Sequence, residues 1–216
     1  MITAQDGSAA TYLLDGKRVV VFGREENIVE RKRALRRRAE NRRNVAASMR
    51  SKQASLLLLN RFMDLFRDRL SSSVVSAYWP LPGEIDVRPL IYALLQRGVT
   101  VLLPSSTGRN KPLVFRRWEE GGDLVDSGLG FMEPDTDTTI LSPNLLIVPL
   151  LGFDAICNRL GYGGGYYDIS LRVLRKNLNI CAVGVAYEEQ EFCEIPIDQY
   201  DEPLDMVLTD QRTLQS

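Results

Sequence analysis

Residues 159–168 read Arg-Leu-Gly-Tyr-Gly-Gly-Gly-Tyr-Tyr-Asp, a stretch in which backbone and side chains both suit an anion. Gly161, Gly163, Gly164 and Gly165 give a chain that can take positive φ and approach a ligand closely. Successive N–H groups of such a loop converge on an anion, and a helix starting near Tyr166 would add the positive end of its dipole. Arg159 supplies a fixed cation whose fork matches phosphate oxygens. Asp168 supplies a hard oxygen of the kind Mg2+ takes beside a nucleotide. The pattern is that of a phosphate-binding loop with a metal carboxylate at its end; a glycine-rich turn that only lets segments pack closely is the plainer alternative. It is not a Walker loop, because no Gly-Lys-Ser/Thr follows, and it lacks the GxGxxG spacing of a dinucleotide site.

The chemistry open to the chain is narrowed by a missing residue type. Its 216 residues include no histidine, so no imidazole can act as a general base and no Ser-His-Asp or Cys-His nucleophile can form. Carboxylates, lysine, tyrosine, positioning and metal remain. That inventory suits phosphoryl transfer, which depends on orientation and charge stabilisation. Cys157, Cys181 and Cys193 lack CxxC spacing and read as free thiols of a reducing cytosol. A net charge of −1 creates no global field toward nucleic acid or an anionic membrane. The apolar runs near Leu56 and Leu145 are too short to span a bilayer, and no secretory pattern opens the sequence. The expectation is a cytoplasmic monomer with neither a nucleic-acid nor a membrane partner.

The elements that must position the loop follow an α/β alternation. Leu145 to Pro149 is a short apolar run typical of a buried strand. The loop comes next, then an amphipathic segment from Tyr167 to Lys176. This order puts the glycines at a strand's carboxyl end, where open α/β sheets bind ligands. Further strands are expected at 74–78, 99–104, 180–186 and 206–208, with a short one at 113–118. Helices are expected at 26–50, 52–70 and 87–97, the last ended by Gly98. In the second, Leu56, Leu59, Met63, Phe66 and Leu70 stand at helical spacing. With 44% hydrophobic residues the chain can bury a sizeable core. The expected organisation is one α/β domain over 26–216, preceded by an extension over 1–25 that is loose or adds an edge strand at 19–22.

The basic first helix has two readings. Lys32 and Arg36 are four apart and project from one face. Most of Arg31, Arg33, Arg37, Arg38, Arg42 and Arg43 are expected to face solvent or to pair with the acidic carboxyl-terminal part. An arginine stripe of this kind could also bind RNA.

Several of these segments, in this order, resemble the 5-formyltetrahydrofolate cyclo-ligase family, also called methenyltetrahydrofolate synthetases. Pro149, Phe153, Asp154, Arg159, Leu160, Gly161, Gly163, Gly165, Tyr166, Tyr167 and Asp168 stand in the register of the family signature. Lys32-x-x-Leu35-Arg36 is similar to its amino-terminal basic motif, and Tyr78-x-Pro80-x-x-x-Glu84-Ile85-Asp86 to its folate-site segment. Gly130 to Pro134, Val183 to Tyr187, Gln190, Pro196, Asp201, Leu204-Asp205 and Thr209 extend the likeness, which runs from about residue 31 to 210.

The resemblance implies a three-layer α/β/α sandwich with a Rossmann-like, mostly parallel sheet. It implies ATP-dependent cyclisation of 5-formyltetrahydrofolate to 5,10-methenyltetrahydrofolate, releasing ADP and phosphate by way of a phosphorylated formyl oxygen, with Mg2+ as cofactor. Lys32, Arg36, Arg159, Leu160, Gly161, Tyr162, Gly163, Gly164, Gly165, Tyr166 and Tyr167 would then bind ATP, with Lys32 and Arg159 catalytic. Trp79, Glu84, Tyr162, Gly163, Gly164, Gly165 and Tyr166 would face the folate, and Asp168 and Asp201 the metal. Local alternatives are a helix cap for Glu84, a core role for Trp79, a structural role for Tyr167 and a turn acid for Asp201. Three residues depart from the family pattern: Cys157 where glycine is usual, Ile169 after Tyr-Tyr-Asp, and Tyr200 before Asp201. They keep a second reading open, a diverged paralogue that binds folate or nucleotide without efficient turnover.

Overall fold

A computed structural model describes residues 9–14, 17–22 and 27–216. Strands β1 (Ala9–Leu14) and β2 (Lys17–Phe22) form an antiparallel hairpin that is a sheet of its own. The Val19–Phe22 run is thus a strand, but it pairs with β1 and not with the edge of the main sheet.

Helix α1 (Ile28–Leu65) opens at Asn27, whose side chain accepts the Val29 N–H at 3.1 Å. It takes in both helices expected before residue 66, joined across a kink at Arg50, where φ is −151°. The break coincides with ion pairs from Arg50 to Glu189 and Asp210, at 2.5 and 2.8 Å. Beyond the kink the buried stripe runs through Ala54, Leu58 and Phe62, and Leu56 is 48% exposed. Met63, Phe66 and Leu70 are buried as their spacing predicts and Leu59 packs against the same core, so within the four consecutive leucines at 56–59 only Leu56 departs from the expected stripe.

The main sheet has seven strands: β3 (Val74–Ser76), β4 (Thr100–Ser105), β5 (Val114–Arg117), β8 (Leu145–Pro149), β11 (Cys181–Ala186), β12 (Met206–Thr209) and β13 (Thr213–Gln215). Between β5 and β8 the chain makes the hairpin of β6 (Leu124–Asp126) and β7 (Met132–Pro134); after β8 it makes a two-residue ribbon of β9 (Gly152–Phe153) and β10 (Arg159–Leu160). Spatial order in the main sheet is β13-β12-β11-β8-β3-β4-β5. The five inner strands are parallel and the two outer ones antiparallel to their neighbours. Helix α2 (Arg88–Gln96) links β3 to β4, and α3 (Tyr166–Asn177) links β8 to β11.

Side chains alternate across the sheet as strand geometry requires. Leu145 and Ile147 join Val75, Val183 and the inner faces of α1 and α2 in one core; Leu146 and Val148 join Ala182, Val207 and Leu171 of α3 in the other. Two cores on opposite faces of one sheet make the three-layer α/β/α sandwich. From β3 the chain winds toward β4, and from β8 it winds toward β11, so strand order reverses between the neighbours β3 and β8. A crevice at the carboxyl ends of two such strands is where open α/β sheets take ligands. Among the described residues no helix is long and apolar enough to cross a membrane.

Candidate active site

The β9–β10 ribbon is held by Asp154. Its carboxylate accepts N–H bonds from Asn158 at 2.9 Å, Ile195 at 3.1 Å and Ile156 at 3.2 Å. In this turn Cys157 has φ +63°, so the position occupied by glycine in the family pattern does need the left-handed conformation. A non-glycine residue there costs about 1–2 kcal/mol. The ribbon returns Arg159 beneath the end of β8, where it is 8% exposed.

The loop then runs into α3 through Gly165, at φ +69°, and no side chain caps the helix. Its first N–H groups face the loop, with the positive end of the dipole behind them. Arg159 pairs with Asp168 in the first turn, Nη2 to Oδ2 at 2.8 Å. The Arg159 Nε is buried and has no hydrogen-bond partner among the described residues. A buried guanidinium N–H without an acceptor is costly unless a ligand supplies one.

Two residues of α1 close the other side. Arg36 donates from Nε to the Gly161 carbonyl at 2.9 Å, and its guanidinium carbon lies 3.2 Å from where a Cβ on Gly163 would stand. Glycine at 163 is therefore a matter of space as well as of its φ of +102°. Lys32, one turn earlier and 9% exposed, donates to Asp198 at 2.8 Å and Asp201 at 2.5 Å. Burial works against its charge, but the two carboxylates outweigh burial and hold Lys32 above the usual lysine value. Burial, with help from Arg159, lowers Arg36, while Asp201 and Asp168 act the other way. Asp201 thus acts on both Lys32 and Arg36 at the mouth of the loop.

Asp168 and Asp201 suit a magnesium ion as donors. Among the described residues no group of three or more potential ligands could cage a metal. Mg2+ seldom needs one, since it usually takes one or two carboxylates and completes its shell with water and phosphate oxygens. Here each carboxylate is matched by a cation, Asp168 by Arg159 and Asp201 by Lys32.

The folate-side candidates divide. Glu84 does not cap α2, whose N-cap position is Val87; Asp86, just before it, accepts the Arg88 N–H at 3.0 Å. Glu84 is 8% exposed, takes the Leu81 N–H on one oxygen at 2.8 Å, and takes the Tyr162 hydroxyl on the other. Burial raises its pKa; the bonds from Tyr162 and Leu81, and Arg43 nearby, pull it back. Trp79 is half-buried against Trp118, ring centroids 5.4 Å apart, with the Arg88 guanidinium 5.8 Å from its ring. Tyr166 lies against Gly164, a Cβ on which would fall 2.9 Å from its ring. The Tyr167 hydroxyl is buried without a partner among the described residues, and Arg159 sits 5.8 Å from its ring centre. Leu160 is buried with Ala39, Leu151, Phe192 and Ile195, which leaves only its backbone for a nucleotide.

Two residues at this site escape the sequence reading. Arg43, grouped there with the arginines that face solvent or pair with the acidic carboxyl-terminal part, is 5% exposed and donates to the Tyr162 hydroxyl at 2.6 Å. It continues the buried face of α1 through Lys32, Ala39 and Ala46, a helical spacing visible in the sequence but masked by the surrounding arginines. Asp198, the second partner of Lys32, sits in a loop where no periodicity marks it.

An open α/β sheet thus carries an arginine-backed glycine loop at its switch point. The family profile described as the 5-formyltetrahydrofolate cyclo-ligase family matches residues 28–210, and the chain belongs to this family of ligase enzymes. It is 34% identical over 143 residues to the 5-formyltetrahydrofolate cyclo-ligase of Escherichia coli strain K12, covering 62% of this chain and 76% of that protein. To the Mycolicibacterium smegmatis protein of the same name it is 30% identical over 181 residues, covering 80% of this chain and 90% of the relative. The solved structure of Aquifex aeolicus 5,10-methenyltetrahydrofolate synthetase superposes with a TM-score of 0.70 at 28% identity, covering 85% of this chain and 92% of the other.

Proposed function

We propose that the chain closes 5-formyltetrahydrofolate to 5,10-methenyltetrahydrofolate at the expense of ATP. The observation that carries this reading is the set of cations around the loop, Arg36 on the Gly161 carbonyl, Arg159 on Asp168 in the first turn of α3 and Lys32 on Asp198 and Asp201, with one Arg159 N–H buried and unpartnered among the described residues. The glycine loop and the α3 N–H groups hold the nucleotide phosphates. Lys32 and Arg159 offset the charge that spreads over the transferring phosphoryl group, where a preorganised cation is worth several kcal/mol. Mg2+ would be held by Asp168 and Asp201 and, when bound, neutralises phosphate charge. Those carboxylates become free to do so when phosphate oxygens take their place on Arg159 and Lys32.

On the folate side Glu84 accepts N–H donors of the pterin, and Tyr162 and Tyr166 flank it. The formyl oxygen attacks the γ-phosphorus and ADP departs. The second folate nitrogen then bonds to the formyl carbon and gives up its proton, the C–O bond breaks, and the oxygen leaves as phosphate, which carries that proton away as hydrogen phosphate. The departing phosphate removes the oxygen that water would otherwise have to take up, so this chemistry needs no imidazole.

The test is the near-ultraviolet absorbance of the methenyl product in a mixture of protein, 5-formyltetrahydrofolate, Mg2+ and ATP. A rise that requires ATP and disappears in Arg159→Ala supports the reading. No rise, in folded protein that still binds folate or nucleotide, would favour a diverged binding paralogue, the reading that Cys157 at a left-handed position keeps in view.

A further inference from the structure

Arg43 occupies a position where a cation is expensive, and among the described residues it does not meet a carboxylate directly. Its Nη1 donates to the Tyr162 hydroxyl at 2.6 Å; its Nη2 donates to Asn44 Oδ1 at 3.2 Å and the Pro82 carbonyl at 3.3 Å. The Tyr162 hydroxyl in turn donates to Glu84. A buried cation and a buried carboxylate are thus joined through a neutral phenol. Arginine in a protein cannot give up its proton and accepts no hydrogen bond, so the Tyr162 oxygen must accept from Arg43 and its own proton must face Glu84. Such a chain polarises each bond in the same sense. The turn that carries Glu84 is moulded onto the same arginine. Gly83, at φ +84°, has Asn44 Oδ1 and the Arg43 Nη2 at 2.4 and 3.2 Å from where a Cβ would stand.

We infer that Arg43 is a positioning residue for the reaction: through the Tyr162 hydroxyl it orients the Glu84 carboxylate and seats the glycine loop against the turn after β3. The relay crosses the switch point, since Glu84 follows β3 and Tyr162 follows β8. Tyr162 itself stands at a position the family signature leaves open. The inference rests on the reading that Glu84 receives the folate, but the relay can be measured without any substrate.

The groups around Glu84 decide the direction of the test. Tyr78 approaches from the end of β3, bonding its hydroxyl to the Ile85 carbonyl at 3.1 Å. Tyr187 reaches the Glu84 carbonyl at 3.4 Å, and Tyr162 and Tyr167 act from the loop and α3. Arg43 is the cation that acts on Glu84, and burial already pushes this carboxyl up. Removing Arg43 must push it further in the same direction.

The experiment titrates Glu84 in the ligand-free full-length protein by NMR of 13C-labelled glutamate, with Glu84→Gln identifying the signal. Arg43→Leu is expected to raise the titration by about one pH unit or more, and Arg43→Lys by less. The acid limb of kcat/KM for cyclisation should move with it, with the formylfolate KM rising more than the ATP KM. A folded Arg43→Leu protein with an unmoved titration and a uniform loss of turnover would overturn the inference. If that variant does not fold, Tyr162→Phe, which removes only the hydroxyl, carries the same prediction and the same overturning result. A moved titration in a protein that cyclises nothing would sink the proposed reaction and leave the relay; an unmoved titration in an active enzyme would sink the relay alone.

Discussion

At the α3 end of the site Lys32 and Arg159 touch carboxylates directly, whereas at the Glu84 end a phenol stands between Arg43 and its carboxylate. The first arrangement is exchangeable. An incoming phosphate can replace a carboxylate on the same cation, and the carboxylate keeps a use as a metal ligand. The second is fixed: Arg43, Tyr162 and Glu84 each have a set donor or acceptor role, and on the proposed reading a substrate N–H would add to the relay without rearranging it. One end is built to trade partners and the other to hold still.

The largest effect should come from breaking the exchangeable end. Arg159→Ala is expected to lower turnover about a hundredfold or more, the loss that follows removal of one transition-state donor. Single-turnover cyclisation measures it, and normal turnover would remove Arg159 from the catalytic group. Lys32→Met should weaken ATP binding about tenfold, equal to about 1.4 kcal/mol. It should also change the response to acid. Lys32 holds the Asp198 carboxyl below the usual range, so the stability that pair contributes is present above the unfolded value and is lost as pH falls through the folded one. Urea unfolding at neutral and acid pH should show a shallower acid loss in Lys32→Met than in the parent; identical slopes would count against the pair.

At the fixed end Glu84→Gln should raise the formylfolate KM about tenfold, as for loss of a charge-assisted hydrogen bond, and leave the ATP KM near its original value. Its linkage has the opposite sign to that of Asp198. Burial raises the folded pKa of Glu84, so its ionised form destabilises the fold increasingly as pH rises toward and past that value. Glu84→Gln should therefore gain stability relative to the parent as pH increases, and a gain confined to acid would contradict this. The smallest effect is expected at Cys157. Cys157→Gly relieves a left-handed residue but empties a buried thiol position, so stability should change by no more than about 1 kcal/mol. Cys157→Val, branched at Cβ in the same conformation, should lose about 2 kcal/mol or more by urea unfolding. Equal stability of the two variants would mean that the backbone is not strained there.

What could be read from residue types follows the same division. The glycines and Arg159 lie consecutively, and glycine has few other reasons to recur so densely, so the exchangeable end announces itself within ten residues. The parallel strands are equally plain, because Leu145–Pro149 and Cys181–Ala186 are apolar on both faces. The fixed end is assembled across the fold, and none of its parts is distinctive alone. Arg43 is one arginine in a run whose other members at 31, 33, 37, 38 and 42 are exposed, and burial of a charge is the rarer outcome. Only the phase of the helix sets it apart. The kink at Arg50 is not legible because the residues that pair with it there, Glu189 and Asp210, lie about 140 to 160 residues away.

That dispersal bears on when the protein acquires its binding capacity. Lys32 meets Asp198 across 166 residues of chain, and Glu84 meets Tyr162 across 78. A growing polypeptide that has made α1, β3 and even the glycine loop still lacks the acidic segment at 198–201 that matches Lys32. On the proposed reading, nucleotide and folate would therefore protect only the nearly finished molecule, and fragments cut anywhere between these segments should show no graded remnant of binding.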